Sequence, residues 1–145
     1  MKTSEDGILF ISKFEGIKLT AYQDSVGIWT IGAGHINGVK RGDTITLEEA
    51  YDLLHGDVIV SEDAIGKLVK VPLTQNEYDS LVSWVFNLGE GNLRKSTMLA
   101  YLNTMQYKLA ADEMPKWSKA GGRELAGLLR RREAERKLFL EGVYE

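Results

Sequence analysis

Ile8, Ile11 and Phe14 recur at three-residue spacing, with Glu5 and Asp6 in the turn ahead of them. The pattern predicts a helix from Thr3 to Glu15, capped by Thr3 and stopped by Gly16. From Ile17 to Thr44 the period changes. Glycines at 27, 32, 34, 38 and 42 separate short β-branched and aromatic runs. Segments around Leu19–Tyr22, Ile28–Ile31 and Val39–Ile45 read as the three strands of a small antiparallel sheet. Asp24-Ser25-Val26-Gly27 and Asn37-Gly38 are turn signals. Three such strands are too little to fold alone, so the sheet must pack on helices.

Helical spacing then returns. Thr46-Leu47-Glu48-Glu49 forms a capping box, followed by Leu47, Ala50, Leu54, Val58, Ser61, Ile65 and Leu68 at intervals of three and four, a helix of about twenty residues. A second box, Thr74-Gln75-Asn76-Glu77, starts a helix with Tyr78, Leu81, Val82, Val85 and Phe86 inward, ended by Gly89. Shorter helices are expected at Ser96–Asn103 and Tyr107–Glu113, and Pro115 and Gly121-Gly122 break the pattern. A last helix runs from about Leu125 to Glu141, with Leu128, Leu129, Ala134, Leu138 and Phe139 buried. The fold class is therefore α+β and mainly helical. A small sheet lobe, about 16–45, is joined by a bridging helix, about 47–67, to a helical lobe, about 72–145, which includes the N-terminal helix 3–15. The whole of 1–145 is expected to form one domain with a cleft between its lobes, a common place for a ligand.

Composition narrows the chemistry. The 145 residues are 43% hydrophobic and 27% charged, enough for one packed core without metals or cross-links. The absence of cysteine excludes a disulfide scaffold, a thiolate zinc site and a cysteine nucleophile. Two histidines are too few for a His-rich metal site. The longest apolar run, Gly7 to Ile11, is far short of a membrane span, and the acids ahead of it make a poor secretory signal. Charge is uneven. Lys116 to Lys137 holds eight basic residues and three acids, a local +5 on a chain of net charge −3, which leaves −8 on the remainder. This segment reads either as a basic face for an anionic ligand or as a solvated helix face; it is too local for a general nucleic-acid binder.

Three polar residues deserve weight as chemistry. Glu15 closes the first helix, whose negative end together with partial burial favours the protonated carboxyl that a general acid needs. Asp24 sits in the first strand turn and Thr30 in the second strand. Taken singly, each has an ordinary structural reading: a surface Glu before a C-cap, a turn Asp bonding its own backbone, a strand Thr. Facing one cleft, two carboxyls and a hydroxyl would suit glycoside hydrolysis.

The sequence around these residues is distinctive. Phe14-Glu15-Gly16, Ala21-Tyr22-Gln23-Asp24 and the run from Gly27 to His35 resemble the phage-type lysozymes, the endolysins of glycoside hydrolase family 24. The Glu-x8-Asp-x5-Thr spacing is met by Glu15, Asp24 and Thr30. The resemblance continues through Trp84 to Gly89, Ala110 to Trp117, Ala120 to Arg123 and Gly127 to Arg136, so it covers nearly the whole chain in order. It is strongest to the lambdoid-phage branch. It implies a lysozyme-like fold and hydrolysis of the β-1,4 bond between N-acetylmuramic acid and N-acetylglucosamine. Glu15 would be the acid, and Asp24 and Thr30 would hold water on the opposite face. No metal or cofactor is implied. Ile36, Phe86, Asn87 and Ser96 match cleft-lining positions of the family, although Phe86 reads equally as core, and Trp117 reads first as core and second as a sugar platform. His35 would pair with Asp57 and tie the sheet lobe to the long helix, while His55 reads as a plain exposed residue. Of Arg130, Arg131 and Arg132, at most two can reach the cleft, since neighbours on a helix diverge by about 100°.

The implied partner is a peptidoglycan glycan strand rather than nucleic acid. The implied enzyme is a monomer without a stable membrane anchor, soluble in the host cytoplasm until a holin releases it to the wall. Ala33 and Ala126 depart from the aromatic and the proline often found at those places in the family, and the acidic balance departs from its often basic character. A lytic transglycosylase acting on the same bond, or an inactive wall-binding module of the same fold, remain as alternatives.

Overall fold

A computed structural model describes residues 1–145. Helix α1 spans Glu5–Glu15 and is capped by Ser4, whose hydroxyl accepts from the Gly7 N–H at 3.0 Å. Thr3, the cap expected from the sequence, is committed elsewhere. Its N–H and hydroxyl both donate to the Glu62 carboxylate, at 2.7 and 2.8 Å, and so tie the N-terminus to a later helix. Gly16, at φ +75°, ends α1 and turns the chain into strand β1, Lys18–Gln23.

β1 pairs antiparallel with β2, Trp29–Gly32, with Tyr22 opposite Thr30 and a bulge between Lys18 and Tyr22. The expected third strand, Val39–Ile45, is only a single bridge of Thr44 to Thr20, flanked by the Ala21 N–H on Asp43 O and the Ile45 N–H on Leu19 O. The reason is local. The Asp43 carboxylate accepts from the Lys40 N–H at 2.8 Å, the Asp43 N–H returns to the Lys40 carbonyl, and Gly42 takes φ +89°. The segment closes a tight turn before it can extend.

The long helix is also divided. α2, Leu47–Asp57, carries the expected Thr46/Glu49 capping box, and α3, Ile59–Leu68, follows after a break at Val58. The Val58 N–H still reaches Leu54 O and the Glu62 N–H still reaches Val58 O, so the break tightens one turn without ending the helical path. α4, Gln75–Leu88, has the second capping box and is the centre of the molecule. Every residue from Tyr78 to Val85 is buried, and α8, α3, α1 and α5 pack around it. α5, Glu90–Lys95, has no counterpart in the sequence reading. α6, Thr97–Asn103, starts one residue later than expected because Ser96 is its cap, and α7, Tyr107–Glu113, lies where expected. Trp117 packs edge to face on Trp84, 5.3 Å between ring centroids, on the core side of its two readings.

Gly121-Gly122, read as a break, is the turn of a short ribbon formed by β3, Lys119–Ala120, and β4, Arg123–Glu124. Both glycines have positive φ, as a two-residue hairpin turn of matching twist requires. α8, Ala126–Glu141, closes the fold. Leu138 and Phe139 are buried as expected, but Leu128, Leu129 and Ala134 are only half-buried. The fully inward positions between them hold Arg131, Arg132 and Glu135. No helix is long and apolar enough to cross a membrane.

A polar clasp holds the two chain ends. Buried Asp79 accepts from the Ser4 N–H and hydroxyl, from Gln75 Nε2 at 2.8 Å and from the Tyr144 hydroxyl at 2.8 Å. Burial and the adjacent Asp79 carboxylate push the Tyr144 phenol from 10.0 up to about 12. Tyr78, whose hydroxyl donates to Met1 O, is likewise pushed from 10.0 to about 12, by burial first and then by Glu62 and Asp79. A phenol that ionises later in the folded chain than in the unfolded one contributes stability that is intact below pH 10 and is lost as pH climbs towards 12. The melting temperature is therefore expected to fall more steeply across that window in the native chain than in a Tyr78→Phe/Tyr144→Phe variant. Parallel slopes would refute the assignment.

Candidate active site

Glu15 is the last residue of α1, and its side chain is 22% exposed. Its Oε2 accepts from Arg131 Nη1 at 2.6 Å. Its Oε1 faces the loop leaving β2, where a Cβ on Gly34 would stand 3.9 Å away. Gly34 has φ +85°, so the loop needs glycine there for its backbone conformation. Glu15 and Arg131 line a cleft of about 440 Å³ together with Phe14, Asn87, Leu125 and Leu128.

Asp24 occupies the turn after β1. Its Oδ1 accepts from the Val26 and Ile28 N–H groups, both at 2.9 Å, which fixes the turn and leaves Oδ2 without a protein partner. Thr30 is 4% exposed in β2, and its hydroxyl donates to Ile28 O at 2.9 Å. The donor is thereby committed, and the lone pairs of Oγ1 remain as acceptors. The strand register sets Thr30 opposite Tyr22, so Asp24 and Thr30 belong to the same end of one hairpin. That hairpin leaves past Glu15 at Gly34.

The other expected residues divide. His35 Nδ1 contacts both Asp57 carboxylate oxygens, at 3.0 and 2.9 Å, and Nε2 contacts Asn37 O at 3.0 Å. Both ring nitrogens thus face oxygen atoms, Nδ1 the Asp57 carboxylate and Nε2 the Asn37 carbonyl. The pair joins the β2 exit loop to the end of α2. Ile36 is 53% exposed beside it. Phe86 is half-buried and lines a second cavity of about 220 Å³ with Asp57 and Val85. Asn87, the next residue, is exposed and lines the Glu15 cleft, so the end of α4 presents one side chain to each. Ser96 is a correction. It is 6% exposed, donates to Leu93 O and accepts from the Leu99 N–H, so its hydroxyl serves the start of α6 and not a cleft wall. His55 lies at the surface as expected, its side chain 37% exposed, and contacts Glu5 at 2.9 Å. A larger depression, about 710 Å³, lies between Lys2, Glu5, His55 and Glu62, away from Glu15.

The basic segment is not a single face. Arg131 and Arg132 are buried, Arg136 pairs with Asp112, and Lys116 pairs with Glu113. What the sequence reading missed is the ionic cluster beneath Glu15. Glu135 is wholly buried. It accepts from the Ser83 hydroxyl at 2.6 Å and from Arg131 Nε at 3.2 Å, and its Oε1 lies 2.7 Å from Arg132 Nε. Arg132 Nη2 donates to Asn87 Oδ1 at 2.8 Å. Burial pushes the Glu135 carboxyl up from its ordinary value against the pull of both guanidiniums, and burial pushes the Arg132 guanidinium down. The signal was present in the sequence: on α8, Leu128, Arg131, Arg132, Glu135, Leu138 and Phe139 share one stripe at spacings of three and four, and its middle is charged.

The model for the phage lysozyme family matches residues 12–135. The chain is 47% identical over 145 residues to the endolysin of Salmonella phage P22, covering 97% of this chain and 99% of that one. It is 44% identical over 143 residues to the endolysin of Acyrthosiphon pisum secondary endosymbiont phage 1, covering 96% and 98%. The crystal structure of a P22 lysozyme mutant superposes with a TM-score of 0.92 at 46% identity, covering 97% of this chain and 99% of that one. The chain therefore belongs to the phage lysozyme family and is a lysozyme-type glycoside hydrolase.

Proposed function

We propose that this chain is an endolysin muramidase that hydrolyses the β-1,4 bond between N-acetylmuramic acid and N-acetylglucosamine in peptidoglycan. The observation that carries the reading is Glu15 itself: a half-buried carboxyl at the end of α1, anchored at Oε2 by Arg131 and open to the cleft. Glu15 donates its proton to the departing glycosidic oxygen. A water attacks the anomeric carbon from the opposite face, and its proton passes to Asp24. Asp24 Oδ2 and Thr30 Oγ1 are both acceptors. A water held by two acceptors points its hydrogens at them and turns a lone pair to the sugar. Ile36, Phe86 and Asn87 contact the glycan, and the His35–Asp57 pair holds the β2 exit loop to α2. The whole chain acts as one lysozyme domain and as a monomer on the glycan strand. It waits in the host cytoplasm until a holin gives it access to the wall, and release lyses the cell.

The test is mass spectrometry of muropeptides released from purified Gram-negative peptidoglycan. Hydrolysis leaves a reducing muramic acid end. A transglycosylase uses the muramyl 6-hydroxyl in place of water and leaves a 1,6-anhydro end. Reducing ends are expected; anhydro ends would overturn the hydrolytic step, and intact sacculi would overturn the enzymatic reading.

A further inference from the structure

We infer that Glu135 is a positioning residue for the proposed reaction, holding Arg131 in place and offsetting its charge so that Glu15 can give up and regain a proton. The inference rests on Glu15 being the general acid. Glu135 never reaches the cleft, being wholly buried one turn beyond Arg131 on α8. It acts through the guanidinium between them.

Every nitrogen of that guanidinium is engaged. Nε donates to Glu135 Oε2 at 3.2 Å, Nη1 to Glu15 Oε2 at 2.6 Å, and Nη2 to Ser83 O and Oγ at 3.2 and 3.3 Å. The group also lies over the Phe14 ring, 5.5 Å from its centroid. Arg131 is thus fixed in plane and direction, and Glu15 Oε2 with it, which leaves Oε1 as the oxygen on the Gly34 side. Packing alone does not ask for this cluster. A buried ionic group is seldom more stabilising than apolar side chains of the same volume, and α8 carries leucines on either side of it.

The charges explain what the cluster does. The charged groups gathered here are Glu15 from α1 and Arg131, Arg132 and Glu135 from α8; α4 contributes only the neutral Ser83 and Asn87. With both carboxylates ionised the set is neutral. Without the charge of Glu135, two guanidiniums face Glu15 alone, the ionised form of Glu15 is favoured, and proton donation becomes harder.

The experiment compares the native full-length chain, Glu135→Gln and Asp112→Asn. The Glu15 side-chain carboxyl is followed by carbon NMR through a pH titration, which needs no activity, and kcat/KM on peptidoglycan is followed across the same pH range. In Glu135→Gln the Glu15 titration midpoint and the alkaline limb of the rate profile are both expected to move to lower pH by about one unit. The rate then falls about tenfold above the limb and stays near native below it. Asp112→Asn makes the same change in net charge outside the cluster, where Asp112 pairs with Arg136, and is expected to leave both positions unmoved. An unchanged Glu15 midpoint, or a rate lowered equally at every pH, would reduce Glu135 to a structural part and overturn the inference. If Glu135→Gln does not fold, Glu135→Met, which also removes the charge and fills the space, takes its place under the same criteria. A native chain without activity would instead count against the proposed function, and the NMR midpoints would still decide the coupling.

Discussion

Glu15→Gln is expected to lower the rate of wall clearing about a thousandfold while leaving the melting temperature within a few degrees of the native value. A positioned general acid supplies roughly 10²- to 10⁴-fold, and glutamine keeps the shape but has no proton to give. The fold tolerates the change because Glu15 is partly exposed and Arg131 keeps Glu135 and Ser83 as partners. The glutamine carbonyl can still accept from Arg131 Nη1, so the guanidinium does not lose its anchor. Turbidity clearing of outer-membrane-permeabilised Gram-negative cells checks this, with circular dichroism on the same samples. Equal clearing by the two proteins would remove Glu15 from the chemistry. A loss of clearing accompanied by a loss of fold would leave the reduced rate to structure, and Glu15→Asp, with the carboxyl retained, would then separate the two by whether proton donation returns.

Arg132→Met is expected to have the largest effect on stability, a loss of about 3 kcal/mol. Arg132 and Glu135 are both wholly buried, and removal of one partner leaves a carboxylate in the core with less compensation. The loss falls at the lower end of the range for a broken buried pair for two reasons. Arg131 and Ser83 still contact Glu135, and Arg132 Nη1 has no hydrogen-bond partner in the native fold, so its removal relieves a cost. Methionine fills most of the arginine volume without charge. For a chain of this length the change corresponds to a fall of about 10 °C in melting temperature, measurable by calorimetry. A change of under one degree would mean that the cluster is held by packing alone. The contrast between these two substitutions separates the roles of the cluster: one end meets the cleft, the other supports it.

Helix placement was readable where side chains act on their own backbone. The Thr46/Glu49 and Thr74/Glu77 boxes close within a single turn, so they mark helix starts in any tertiary setting. Gly16 and Gly89 stop helices through their own positive φ. The errors have two sources, one a distant group and the other local turns and caps. Thr3 lost the cap of α1 because Glu62, fifty-nine residues away, takes both its donors. The third strand lost to a turn closed by the Asp43 carboxylate, and the long helix tightened at Val58. Ser96 was read as a cleft residue, yet its hydroxyl had an immediate use at the start of α6.

By itself the sequence determined the placement of the main helices and the absence of thiol chemistry, which follow from local spacing, capping and residue type and do not depend on what packs where. The trio of Glu15, Asp24 and Thr30 came forward as candidates through the family resemblance of the residues around them. Only the tertiary structure decided that Arg131 holds Glu15, that Glu135 and Arg132 are core residues, and that the basic segment has no single face. At spacings of three and four along α8, a buried ion cluster and a solvated salt-bridge ladder have the same sequence. The difference is which side α4 covers, and that is fixed by burial of Leu138 and Phe139 on one stripe, carrying the charged residues between them and Leu128 into the interior.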